Sequence, residues 1–232
     1  MSKKKLVKQS KQQAASTEKY IQYAAGGLVL LVIVFFVWQF LPKQGSTVEQ
    51  NSLVCEQFAD IPVAEQYDSA PPMMVDASTS YFANVEMENG GQFKIELYAD
   101  KAPITVNSFV FLSCKGFFDG VTFHRVLEGF MAQGGDPTGT GMGGPGYQFV
   151  NEDSDLTFDK AGVVAMANSG RDTNGSQFFI TFDAADFLNG GYTIFGQVVE
   201  GIDVVNGITR RDPDQNPNFE GDKIKSIVIS EE

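Results

Sequence analysis

Apolar and polar residues alternate over two stretches, 81–88 (YFANVEME) and 92–98 (QFKIELY), with Asn89-Gly90-Gly91 between them. A period of two interrupted by a glycine-bearing connection predicts a β-hairpin. Val85 and Met87, then Phe93, Ile95 and Leu97, fall on the face that such a hairpin buries. At Pro103 the period changes. Val106, Phe109, Val110 and Leu112 recur at helical spacing, and Lys115-Gly116 ends the run. Short β-like runs follow at 121–126, 129–134, 162–167, 177–182, 193–199 and 223–230, with a second brief helix around 201–208. Many short strands, glycine-rich turns and two helices predict a mainly β fold, an antiparallel barrel rather than a doubly wound sheet.

Upstream of residue 81 the pattern is of another kind. Ala24 to Trp38, AAGGLVLLVIVFFVW, is apolar without a period, and Gln39, Phe40 and Leu41 extend it to Pro42. With the flanking Tyr20, Ile21 and Tyr23, about 20 residues are available, which suits a hydrocarbon slab of about 30 Å. Tyr20, Tyr23 and Trp38 stand where aromatic belts form at membrane interfaces. A cleaved signal peptide is the alternative, but the run is long for one and no A-x-A-like site follows it. Lys3, Lys4, Lys5, Lys8, Lys11 and Lys19 precede the span against Glu18 alone, while only Lys43 closely follows it. That bias predicts a cytoplasmic N-terminus and everything beyond Pro42 outside. Residues 43–80, with Pro71-Pro72 among Gln, Ser and Asp, read as a tether. Val54 to Tyr67 has the makings of a short helix but no clear apolar face. The expected division is a basic cytoplasmic tail at 1–20, a transmembrane anchor at 21–41, a linker at 42–80 and a folded domain at 81–232.

Composition sharpens this. Hydrophobic residues at 43% with 12% aromatics sustain a real core. The net charge of −12 conceals a basic first 20 residues and a strongly acidic remainder. An acidic body argues against nucleic acid as a partner, because phosphate contacts need clustered Lys and Arg. Two cysteines make neither a disulfide framework nor a metal site. Cys114, in the apolar helical run, reads as a buried thiol, Cys55 in the polar linker has no evident task, and no bridge between them is expected.

Two stretches carry the candidate chemistry: Phe118 to Gly135, FDGVTFHRVLEGFMAQGG, and Val163 to Phe182, VVAMANSGRDTNGSQFFITF. Taken singly, Arg125 reads as a surface ion-pair residue, and Phe130, Met131 and Phe179 as core. His124 is the only histidine and no nucleophile elbow is present, which argues against a Ser–His–Asp hydrolase. Gly139 to Gly144 fits G-x-G-x-x-G, yet Pro145 and Gly146 follow where a nucleotide-binding helix has to start, so the segment is read as a loop. Asn174-Gly175-Ser176 matches a glycosylation sequon, but it is embedded in the second stretch.

Together the two stretches resemble the cyclophilin family, over about residues 80–230. The likeness rests on Phe123-His124-Arg125, Phe130-Met131 and Gln133-Gly134-Gly135, then on Met166-Ala167-Asn168 and Asn174 to Phe179. The resemblance implies a closed barrel of about eight antiparallel strands capped by two helices, with a groove on its outer wall for a proline-containing segment. It implies Arg125 as the catalytic side chain, and Phe130, Met131, Phe179 and Leu188 as the lining of a proline pocket. Gln133, Ala167 and Asn168 would hold the adjoining peptide backbone, and Phe187 and Tyr192 would complete the rim. Phe187 stands where many eukaryotic members have Trp, and Tyr192 where they have His. Both choices are similar to bacterial extracytoplasmic cyclophilins and imply weak cyclosporin binding.

The function expected is peptidyl-prolyl cis/trans isomerisation at X–Pro bonds, assisting protein folding outside the cytoplasm near a membrane. The partners expected are unfolded or exported proline-containing polypeptides and, through one helix, the bilayer. Neither cofactor nor metal is called for, and a monomer is expected. A binding module that holds proline-rich segments without turnover is the competing class. The presence of both Arg125 and Gln133 favours the enzyme, since a pure binder can dispense with the arginine.

Overall fold

The computed structural model describes residues 53–232. The basic tail and the apolar run at 21–41 lie outside these residues, and no helix among the described ones is long and apolar enough to cross a membrane.

The short helix α1 (Leu53–Gln57) precedes strands β1 (Tyr81–Met87) and β2 (Gln92–Leu97), which form the predicted hairpin. Val85 lies opposite Phe93, Ala83 opposite Ile95 and Tyr81 opposite Leu97. Residues directly opposite share a face, so these six make one wall, and all six are buried. Helix α2 (Pro103–Cys114) follows, then β3 (Arg125–Leu127), β4 (Met131–Gly134), β5 (Val163–Met166), β6 (Phe178–Thr181) and β7 (Ile194–Glu200). Helix α3 (Ile202–Asn206) and β8 (Ile224–Glu231) complete the chain. The strands form a single antiparallel sheet in the order β3-β4-β6-β5-β7-β2-β1-β8.

The expected barrel is not fully closed. No ladder joins the edge strands β3 and β8. Strand β3 has only three residues, and its outer edge is taken by Arg211, which exchanges backbone hydrogen bonds of 2.7 and 2.8 Å with Val126. The gap is spanned instead by the segment leading into β3, through Gly120 N–H to Ile224 O, Ile224 N–H to Val121 O and Phe123 N–H to Asp222 O, at 2.8–2.9 Å. Of the β-run expected at 121–126, only Arg125 and Val126 lie in a ladder; Thr122 makes an isolated bridge to Lys223.

Helix α2 closes one end of the curled sheet. Pro103 opens it, and the Glu152 carboxylate accepts the N–H groups of Ile104 and Thr105 at 2.9 and 2.8 Å. A negative charge thus meets the unpaired donors of the first turn. Thr105 to Ser113 are all buried. A helix apolar on every side has to be covered on every side, and the cover comes from residues 53–80. Phe58 and Tyr67 pack edge-on against Phe111, with ring centroids 5.2 and 4.8 Å apart. The Asn107 side chain accepts the N–H groups of Met74 and Val75 and donates to Pro72 O. Lys115 Nζ donates to Phe58 O at 2.6 Å. Cys55 and Cys114 are joined in a disulfide, Cα atoms 5.3 Å apart, contrary to the expectation of two unpaired thiols. The segment expected to be a tether is a strap bound along α2, with Val54, Phe58 and Val75 buried.

Candidate active site

The sheet register brings the candidate residues together. Arg125 pairs with Gln133, Gln133 with Phe179 and Phe179 with Ala165. These four therefore form a row across β3, β4, β6 and β5 on one face. One step along, Leu127, Met131 and Thr181 form the next row. The alternate residues Val126, Ala132, Phe178, Ile180 and Val164 point the other way, into the main core. The face bearing Arg125 carries an apolar cluster of its own: Met131, Phe158, Val163, Ala165, Phe179, Ala185, Leu188 and Ile194, with Phe130, Ala167 and Tyr192 against it. Phe179 stacks on Phe158 at 5.8 Å and receives the edge of Tyr192 at 5.4 Å. Phe130 leans on Phe187 at 5.5 Å. Phe187 is 76% exposed, as a rim residue has to be.

Arg125 stands beside this cluster. Its Nη1 lies 4.0 Å from Met131 Sδ, a weak acceptor. It takes part in none of the ion pairs among the described residues, so its donors are directed at no carboxylate.

A relay of amides fixes Gln133. The carbonyls of Gly141 and Gly143 can only accept, and they take the Gln177 Nε2 protons at 3.0 and 2.9 Å. Gln177 Oε1 then accepts from Gln133 Nε2 at 2.9 Å. Gln133 Oε1, an acceptor, has no hydrogen-bond partner among the described residues. Gln177 lies within the second sequence stretch, where nothing in the pattern marks it as a positioning residue. Its role becomes visible only once the loop carbonyls are in place. Phe158, the floor under Phe179, sits in a stretch without period, where no sequence signal marks it.

The loop carrying those carbonyls is organised by Asp136. The wholly buried carboxylate accepts from Thr138 N and Oγ1 at 2.7 and 2.8 Å, and from the N–H groups of Gly141 and Gly143 at 2.6 and 3.1 Å. Burial pushes this carboxyl up, but the hydrogen bonds together outweigh it and hold it below the usual carboxylate range. Between the loop and the end of β5 runs a polar cleft of about 730 Å³, lined among others by Gln66, Gln133, Tyr147, Ala167, Asn168 and Gln177. Asn168, whose Nδ2 donates to Gly191 O at 3.2 Å, and Ala167 thus border the cleft rather than the apolar cluster alone. His124, behind the loop, is 3% exposed, and neither ring nitrogen has a hydrogen-bond partner. Burial pushes it below its ordinary value, helped by Arg211 and Arg125 and opposed by Asp136. It does not reach the groove.

Comparison with known proteins accounts for this arrangement. Residues 82–229 match the family described as cyclophilin type peptidyl-prolyl cis-trans isomerase/CLD. Peptidyl-prolyl cis-trans isomerase ppi1 of Schizosaccharomyces pombe is 48% identical over 154 residues, covering 63% of this chain and 99% of the relative. Peptidyl-prolyl cis-trans isomerase B of Bacillus subtilis is 43% identical over 144 residues, covering 62% and 99%. A cyclophilin-type isomerase of Cryptosporidium parvum superposes with a TM-score of 0.58 at 35% identity, covering 65% of this chain and 98% of that one. A second structure of that protein, in the presence of the dipeptide Ala-Pro, gives 0.57. With a paired row of Arg125, Gln133 and Phe179 beside an apolar cluster on the outer face of the sheet, and a family match over most of its length, the chain is a cyclophilin-type peptidyl-prolyl cis-trans isomerase.

Proposed function

We propose that Arg125 is the catalytic side chain and that the enzyme works on polypeptides outside the cytoplasm, held at a membrane by residues 21–41. The observation that carries the catalytic part is the row itself. A charged donor without a carboxylate partner stands two strands from Phe179, over a ready apolar bowl.

The chemistry follows from the bond. Rotation about X–Pro meets a barrier of roughly 20 kcal/mol because resonance gives the C–N bond double-bond character. No bond breaks, so no nucleophile is required. In the planar amide the nitrogen lone pair is delocalised and accepts no hydrogen bond. In the twisted amide it becomes available. A guanidinium aimed at that nitrogen therefore stabilises the twisted state selectively. Phe130, Met131, Phe179 and Leu188 hold the ring, and a Gln133 Oε1 that accepts from the peptide backbone keeps one side of the bond still while the other turns. A 10⁴-fold acceleration corresponds to about 5.5 kcal/mol, within reach of one charge-assisted hydrogen bond in a dry site together with positioning.

The location rests on the apolar run, the lysine bias before it and the Cys55–Cys114 disulfide, which suits an oxidising compartment. Proline-isomerisation kinetics on the full-length chain, with protease accessibility in intact cells, test both parts. Acceleration over the spontaneous rate, and removal of the domain by protease outside the cytoplasm, are expected. A chain without acceleration refutes the role of the groove. A mature protein starting near Gly45, or a freely soluble one, refutes the anchor.

A further inference from the structure

Midway along its course the strap meets the loop that borders the polar cleft. Tyr67 N–H donates to Pro145 O at 2.7 Å. Gly146, at φ +95°, lies so close that a Cβ there would meet Tyr67 O at 2.5 Å. That contact requires glycine at 146, and the strap backbone is thereby fixed to the loop that roofs the cleft. Behind it, Tyr67 packs on Phe111, and Tyr147 of the loop shares a 2.8 Å hydrogen bond with Ser108 of α2. Loop, helix and strap hold one another. The neighbouring Gln66 is exposed and lines the cleft alongside Gln133 and Asn168. The family match begins only at residue 82, so nothing shared with the relatives assigns residue 66 a task.

We propose that the strap is a working wall of the substrate groove and that Gln66 is a specificity-determining contact for polypeptide residues flanking the proline. The inference rests on the assignment of the groove made above. Geometry supplies the reason. A proline seated over Phe179 and Met131 places its neighbours past Gln133, and beyond Gln133 the surface opens into the cleft that Gln66 borders. A side chain entering there finds polar walls and an amide able both to donate and to accept. Selection acts on residues beside the proline, not on the ring.

Charge substitution at an exposed position tests this without threatening the fold. Catalytic efficiency is measured on the full-length chain, in about 0.15 M salt, where the Debye length is about 8 Å, for paired peptides with Glu or Lys at each of the three positions on either side of an X–Pro bond. Gln66→Lys is expected to raise the Glu-over-Lys preference by about three- to five-fold on one flank, and Gln66→Glu to reverse it, in line with exposed charge pairs. The same exchanges at Ser69, exposed on the strap but outside the cleft, leave the preference alone, since screening in water is strong. A wild type that turns over normally while both Gln66 variants keep its preferences overturns the inference and spares the groove. Equal shifts from Ser69 and Gln66 overturn it as well. A wild type that does not isomerise at all removes the groove assignment and this inference together.

Discussion

Replacing Arg125 by Ala removes a donor that has no strong partner in the resting protein, and this makes the expected outcome unusually specific. The guanidinium's one recorded hydrogen bond runs to Met131 Sδ at 4.0 Å and it enters no ion pair among the described residues, so its deletion breaks no ion pair and leaves no buried charge unmatched. Stability should change little, by less than about 1 kcal/mol, a melting shift of a few degrees at most in a domain of this size. The planar substrate offers nitrogen no acceptor capacity, so ground-state affinity should also survive, within about fivefold. Turnover should not. A hydrogen bond to a charged group contributes about 1.5–3 kcal/mol, and preorganised donors in water-excluded sites contribute about 2.7–4 kcal/mol. The two ranges correspond to losses of about 10-fold to 10³-fold in kcat, centred near 10². Arg125→Lys should recover part of this, because a point charge on a flexible stem restores attraction but not the planar fork. Protease-coupled isomerisation gives kcat and KM, and calorimetry with a proline peptide gives affinity. Equal losses in affinity and turnover would show that Arg125 anchors the substrate, and the argument from the twisted amide would be wrong.

Three further outcomes follow from the same structure. Reducing the Cys55–Cys114 bridge, or changing either residue to Ser, releases a loop spanning 59 positions; chain entropy puts the loss at up to about 4 kcal/mol, so melting should fall by several degrees and residues 58–80 should become sensitive to protease, whereas an unchanged melting point with reductant speaks against a docked strap. His124 is the only histidine and burial lowers its folded pKa, so the fold favours the neutral ring while the unfolded form, at 6.5, takes a proton more readily; its contribution is present above pH 6.5 and declines as pH falls from there towards the lower folded value, by at most about 1.4 kcal/mol per pH unit, and urea unfolding of His124→Gln between pH 7.5 and 5.5 should lack that slope. Phe187 is exposed and leans on Phe130, so Phe187→Trp should strengthen a weak cyclosporin complex by adding apolar area and an N–H donor at the rim; nanomolar inhibition of the unaltered enzyme contradicts this.

Which parts of this molecule can be read from its sequence follows a physical line. The hairpin at 81–97 is legible because a period of two leaves a half-buried strand no alternative register. The disulfide and the strap are not, because both depend on contacts made across 32 to 59 positions of chain. A trace of them is nonetheless present in α2. Val106, Phe109 and Val110 mark one apolar face, but Ile104 and Phe111 fall outside it, and such a helix cannot be left with a bare side. Phe111 was a request for a covering layer, and Phe58 and Tyr67 answer it. Residues 54–67 have no clear apolar face because, beyond the short α1, their few apolar groups are spaced to fit α2.

The groove shows the same ambiguity in reverse. Met131 and Phe179, taken alone, look like core residues, and by burial they are: 2% and 5% exposed. They belong to a second core, on the outer face of the sheet, that the chain leaves incomplete. Phe158, Leu188 and Tyr192 supply its floor and sides, and in the function proposed above a proline ring supplies the missing piece. Burying roughly 100 Å² of ring would return about 2.5 kcal/mol, enough to seat the substrate without holding it tightly. An apolar residue therefore cannot be sorted into core or site by its type or spacing, because the two differ only in who provides the last contact. What separates them here is the polar row beside it. Arg125 has no carboxylate partner, and the Gln133 amide is fixed by Gln177 with its oxygen left unpaired among the described residues. In the proposed function, these polar groups beside the outer apolar cluster mark the position at which the substrate docks.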